Sequence, residues 1–176
     1  HGPGRAARKT MEQARSDVAA LLNAEPADVI FTSGGTEANN LALEGSARTR
    51  RLISAVEHPS VLAGGGEIIP VDENGIVDLD RLEERLLADN TPALVSVMLA
   101  NNETGVIAPV KDVVAIAHRH RALVHCDAIQ AAGKIAVDVV DLGVDMMTIS
   151  AHKIGGPSGA GALIVPGIGT MTGAEI

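Results

Sequence analysis

Short apolar runs, each only a few residues long, recur along this chain and are separated by segments with helical spacing. Val29-Ile30-Phe31-Thr32, Leu52 to Val56, Ala93 to Leu99, Leu123 to Asp127, Met146 to Ser150 and Gly161 to Val165 read as strands, with Ile68 to Val71 a weaker one. Between them, Ala6 to Leu22, Thr36 to Glu44, Leu79 to Leu87 and Lys111 to His120 carry helical periodicity. In the first helix Val18, Leu21 and Leu22 fall on one face, and Asp72-Glu73-Asn74-Gly75 reads as a turn. Strands without polar alternation are buried on both sides, and alternation with helices supplies the cover. The pattern predicts an α/β fold: a mostly parallel sheet sandwiched by helices.

Composition narrows the possibilities. The chain has 176 residues, enough for one domain with a substantial core, and shows neither an internal repeat nor a long linker. Aromatic residues make up 1%, so the core is aliphatic and no stacking platform for single-stranded nucleic acid is available. A formal net charge of −8 argues against nucleic-acid and anionic-membrane partners. A single cysteine excludes an internal disulfide and a cysteine-based zinc site. His125 and Cys126 are strand neighbours and point to opposite faces, which rules out a His–Cys metal site. Cys126 reads as a small core residue. No apolar run reaches the roughly 18–20 residues that span a bilayer, and no signal peptide stands at the start, so a cytoplasmic location is expected. The chain opens on His1, which reads as a fragment or a processed form.

The strand ends carry the chemistry. Ligands of open α/β sheets bind outside the carboxyl ends of the strands. Met146 to Ser150 is followed by Ala151-His152-Lys153 and a glycine-rich bend, which places a lysine on a rigid element. In a partly dry site such an amine becomes a nucleophile able to form a Schiff base; its plainer reading is a surface lysine. Gly34-Gly35-Thr36-Glu37 opens a helix whose free N–H groups make an anion site, or simply a cap. It is not a Walker loop, because no lysine follows the glycines. Gly167-Ile168-Gly169 does not complete a dinucleotide fingerprint, because Thr172 stands at the third glycine position. Asp127 ends a strand and can hold a proton on a ligand's ring nitrogen, or cap the next segment. His58 can stack on a flat ligand or shuttle protons, or be structural. Asn102 and Gln130 are neutral hydrogen-bonding groups on loops. His118 and His120 do not share a helix face and read as solvated. A flat heterocycle with a cationic nitrogen, a phosphate and an aldehyde would answer all of these groups together; pyridoxal phosphate (PLP) is such a ligand.

The segments Val29 to Asn40, Glu57-His58-Pro59-Ser60-Val61-Leu62, Asn101 to Val106, His125-Cys126-Asp127-Ala128-Ile129-Gln130 and Ser150-Ala151-His152-Lys153 stand in an order that resembles the class V aminotransferases of fold-type I, and within them the cysteine desulfurases. The resemblance runs from about His1 to Val165. It implies the large domain of a PLP-dependent transferase. Lys153 resembles the lysine that links to the cofactor, Asp127 the partner of the pyridine nitrogen, and His58 the histidine that stacks on the ring and helps proton transfer. Asn102 and Gln130 resemble groups bonded to the phenolic side of the ring, while Gly35, Thr36, Ser150 and His152 match the phosphate cradle. It also implies L-cysteine as substrate, a homodimer, and delivery of sulfur to a scaffold protein for iron–sulfur cluster assembly. Selenocysteine lyase, another class V activity, and a non-catalytic remnant are the alternatives. Residues 1–176 are expected to form a single PLP-binding domain without the family's C-terminal small domain, its persulfide cysteine or its carboxylate-binding arginine. Leu62 to Glu67 is shorter than the helical stretch that the family has there.

Overall fold

The expected apolar runs form the strands of one mixed sheet in the computed structural model, which describes residues 2–168. In chain order the strands are β1 (Val29–Thr32), β2 (Arg50–Ser54), β3 (Glu67–Ile69), β4 (Ala93–Met98), β5 (Leu123–Asp127), β6 (Met146–Ser150) and β7 (Gly161–Ile164). Their spatial order is β1-β7-β6-β5-β4-β2-β3. From β3 through β6 neighbours are parallel; β7 runs antiparallel to both β6 and β1. The helices are α1 (Gly2–Leu22), α2 (Gly35–Gly45), α3 (Pro59–Leu62), α4 (Leu79–Ala88), α5 (Val110–Arg119) and α6 (Val139–Leu142).

Strand alternation divides the core in two. On one face Leu52, Val95, Val97, Val124, Cys126, Met147 and Ile164 join Leu22 of α1, Leu82 and Leu86 of α4, and Val113 and Ala117 of α5. Each fully buried leucine or isoleucine contributes about 1.5–3 kcal/mol by leaving water. On the other face Ile53, Leu94, Met146 and Leu163 pack with Ala38, Ala42 and Leu43 of α2. Toward the carboxyl ends of β4, β5 and β6 this second face turns polar. Ser96, His125, Asp127, Thr148 and Ser150 are buried there.

Several expectations are corrected. Leu21 is 43% exposed, because α1 docks through the narrow stripe of Val18, Ala19 and Leu22 and a neighbouring position points about 100° away. β2 stops at Ser54, where Ala55 and Val56 enter a turn, and β3 stops at Ile69, leaving Val71 in an isolated bridge to Val77. The one-turn helices α3 and α6 are too short to show a helical period. α6 is fixed instead by Asp138, whose carboxylate accepts from the Asp141 N–H (2.8 Å), and by Gly143 in the left-handed region at its end. His118 and His120 are not simply solvated: His118 meets Asp145 (2.9 Å) and His120 approaches Glu83 (3.5 Å). The Asp72 turn forms as read, its Oδ1 accepting from the N–H groups of Asn74 and Ile76, each at 2.8 Å. Gly169 and Thr172 lie outside the described residues.

The antiparallel β7 packs closely against the start of α2. A Cβ on Gly161 would lie 2.8 Å from the Gly34 Cα, so only glycine lets β7 pass beneath the loop that opens α2. Gly34 itself, at φ 155°, holds a conformation that favours glycine.

Candidate active site

A cleft of about 400 Å³ opens at the carboxyl ends of β4, β5 and β6, against the start of α2. All nine residues singled out from the sequence line it: Gly35, Thr36, His58, Asn102, Asp127, Gln130, Ser150, His152 and Lys153. They come from five separate chain segments, so the sheet topology and not sequence proximity assembles them.

Asp127, the last residue of β5, is 4% exposed. Its Oδ1 accepts the Ile129 N–H (3.0 Å) and its Oδ2 accepts from Asn39 Nδ2 (2.9 Å). Burial raises its pKa, while those two donors pull the other way. Glu57 is a second carboxyl buried close to Asp127, and sequence reading missed its role. It too is 4% exposed; Oε1 accepts the Met98 N–H, and Oε2 is buried without a hydrogen-bond partner among the described residues. Burial, reinforced by the nearby Asp127, pushes Glu57 up to about 8. Two donors serve Asp127 and one serves Glu57, so the negative charge rests on Asp127 and Glu57 keeps its proton at neutral pH. The only sequence signal for this was an acid directly after an apolar strand.

At the opposite wall α2 begins at Gly35. The first intrahelical bond runs from the Ala38 N–H to the Gly34 carbonyl (3.1 Å), so the Gly35 and Thr36 amides precede the ladder. Glu37 turns back to accept the Ser33 N–H (2.6 Å), and hydrogen bonding from Ser33, its side chain first and then its N–H, holds the carboxyl below the ordinary range. Ser150 Oγ and His152 Nδ1 are 2.9 Å apart at the end of β6. Gln130 Oε1 accepts from Lys134 Nζ (2.8 Å). Lys153 closes a 3₁₀ turn, Ala151–Lys153, and is exposed at the cleft mouth. The expectation of a partly dry lysine is thus corrected: the polypeptide leaves this side of the cleft open. Asn101, beside Asn102, organises its loop; its Oδ1 accepts from the N–H groups of Glu103 and Thr104, each at 2.9 Å.

Beneath the cleft, His125 is fully buried between Ser96 (Nδ1 to Oγ, 2.8 Å) and Thr148 (Nε2 to Oγ1, 2.9 Å). Burial lowers its pKa from 6.5 to about 4. The folded state therefore prefers neutral His125. Its contribution to stability is present above pH 6.5 and is lost as pH falls through about 4. The full swing is on the order of 3 kcal/mol. Urea unfolding across this range checks it: His125→Leu is expected to flatten the acid limb relative to the parent chain, and parallel limbs would contradict the assignment.

The class-V aminotransferase family model matches residues 1–171. The chain belongs to the class-V aminotransferase family. Cysteine desulfurase IscS of Dictyoglomus turgidum is 43% identical over 180 aligned residues, covering 94% of this chain and 45% of the relative. The mitochondrial cysteine desulfurase of Eremothecium gossypii is 41% identical, covering 94% of this chain and 36% of the relative. Among solved structures, a NifS-like protein from Rickettsia africae superposes with a TM-score of 0.91 at 37% identity, covering 98% of this chain and 50% of that one. SspA in complex with cysteine gives 0.86 at 32% identity, covering 94% and 51%. This class-V chain therefore spans less than half the length of these curated desulfurases. Its homologues are PLP-dependent. Among the described residues no helix is long and apolar enough to cross a membrane, and no group of three or more His, Cys, Asp or Glu is placed to hold a metal.

Proposed function

We propose that these residues form the PLP-binding domain of a cysteine desulfurase, which removes sulfur from L-cysteine and leaves alanine. The observation that carries this reading is the buried Asp127 carboxylate facing a cleft whose other walls are a helix N-terminus and a lysine amine. The cleft fits the cofactor group by group. Asp127 would hold the ring N–H, a charge-assisted bond that a buried carboxylate favours. The Gly35 and Thr36 amides, with Ser150 and His152, would hold the phosphate. Lys153 would carry the covalent link, Asn102 and Gln130 would bond the phenolic side of the ring, and His58 would supply a ring face and a nitrogen for proton transfer. When bound, the cofactor supplies an electron sink. The desulfurase names of the relatives support cysteine as the substrate. A homodimer, a cytoplasmic location and a scaffold protein that takes the sulfur for iron–sulfur assembly belong to the same reading.

Cys126 is not the sulfur carrier in this reading. It is fully buried on the face of β5 away from Asp127, and burial, then Asp127 and Glu57, push its thiol well above the ordinary value. A thiolate is the required nucleophile, so that thiol is inert. The chain loaded with PLP, passed through gel filtration and given L-cysteine and dithiothreitol is expected to retain cofactor and form no persulfide on Cys126. Its sulfide yield should equal that of Cys126→Ser. Loss of all cofactor on the column would remove the ground for the desulfurase reading. Sulfide formation that disappears in Cys126→Ser would make Cys126 the carrier.

A further inference from the structure

His58 lies at the cleft rim, and its ring nitrogens are not equivalent. Nδ1 accepts the Ser60 backbone N–H (3.1 Å), capping α3, and lies 2.7 Å from Ser60 Oγ. A backbone amide can only donate, so Nδ1 must be the unprotonated nitrogen of the neutral ring. The direction of the Ser60 hydroxyl follows from the other end of the cluster. Asp127 Oδ2 is a carboxylate oxygen and faces Asn39 at 2.9 Å, so the Asn39 atom there is the amide nitrogen. That same Nδ2 has a second hydrogen, directed to Ser60 Oγ at 3.0 Å. Ser60 Oγ therefore accepts from Asn39, and its own proton is left for His58 Nδ1. The hydrogen bonds run in one sense: Asn39 donates to Asp127 and to Ser60, and Ser60 donates to His58.

We infer that Ser60 and Asn39 are positioning residues that lock His58 as the Nε2–H tautomer and tie its ring to Asp127. Among the described residues Nε2 has no hydrogen-bond partner, so it is the nitrogen left to meet a ligand. It arrives at that encounter already carrying a proton. His58 then begins as a hydrogen-bond donor toward whatever occupies the cleft; the Ser60 amide fixes that polarity, and the charged floor residue reinforces it through the Asn39 and Ser60 side chains. Asn39 is fully buried on α2, so the relay is held by the fold. Only the consequence for a bound cofactor rests on the PLP reading; the tautomer and its cause do not.

The test is long-range ¹H–¹⁵N correlation on the cofactor-free 176-residue chain labelled with ¹⁵N-histidine. At about pH 8.5, some two units above an ordinary imidazole pKa of about 6.5, a histidine is neutral. His58 is expected to show a protonated Nε2 and an unprotonated Nδ1 shifted by hydrogen-bond acceptance. Ser60→Ala should move the Nδ1 resonance toward that of a free pyridine-type nitrogen, and Ser60→Thr, which keeps the hydroxyl, should restore it. Asn39→Ala should move it in the same direction by less. His125, held between Ser96 and Thr148, reports within the same spectra that each variant is folded. A proton on Nδ1 of the parent chain would overturn the inference without any variant. So would a Nδ1 resonance identical in the parent chain and in folded Ser60→Ala. Loss of PLP binding by the parent chain would leave these spectra unchanged, so the two readings fail separately.

Discussion

Asp127→Ala is expected to weaken PLP binding by about ten- to a hundred-fold, the equivalent of a lost hydrogen bond to a charged group of about 1.5–3 kcal/mol. The carboxylate is buried and already has donors from Ile129 and Asn39 on its oxygens, which orient it toward the cleft. Replacing it removes the charge that would hold a ring N–H. It also leaves the Asn39 amide short of an acceptor, which costs about 1–3 kcal/mol of stability. Asp127→Asn separates the two effects, because it keeps an acceptor and removes the charge. Both variants are expected to lose affinity, with Asp127→Asn losing less stability in urea. Titration of PLP followed by its visible absorption provides the measurement. Parent-like affinity in both variants would reduce Asp127 to a cap on the segment that follows β5.

Much of the scaffold was legible because its strands are apolar on both faces and so stand out against amphipathic helices. Val95 and Val97 pack on one face of β4 and Leu94 on the other, so the single polar residue of the strand, Ser96, does not break the run. What escaped was decided by partners distant in sequence. The close approach of β7 to the loop that opens α2 depends on Gly161 meeting Gly34, a contact that no local pattern records. The cleft residues were nominated because each stands at a strand or helix end, where a sheet of this type gathers them. Asn39 and Ser60 gave no such sign: Asn39 sits inside a helix, and its importance comes from Asp127, 88 positions away. Glu57 looked like a neighbour of His58, and only its burial beside Asp127 gives it a proton at neutral pH. The exposure of Lys153 was likewise unreadable, since it depends on how far the surrounding loops close over the cleft.

The central claim is that this cleft binds PLP through Lys153. Four lysines compete for the label: Lys9, Lys111, Lys134 and Lys153. Lys111 is paired with Asp141 (2.7 Å) and Lys134 is bonded to Gln130 (2.8 Å), whereas Lys153 stands at the cleft mouth across from the α2 N-terminus. A single stoichiometric addition of PLP, reduction with borohydride and peptide mapping tests the claim directly. The account predicts one labelled peptide, carrying Lys153, and loss of that label in Lys153→Ala without its reappearance elsewhere. Label on Lys134 or Lys111, or label spread over all four lysines, would contradict it.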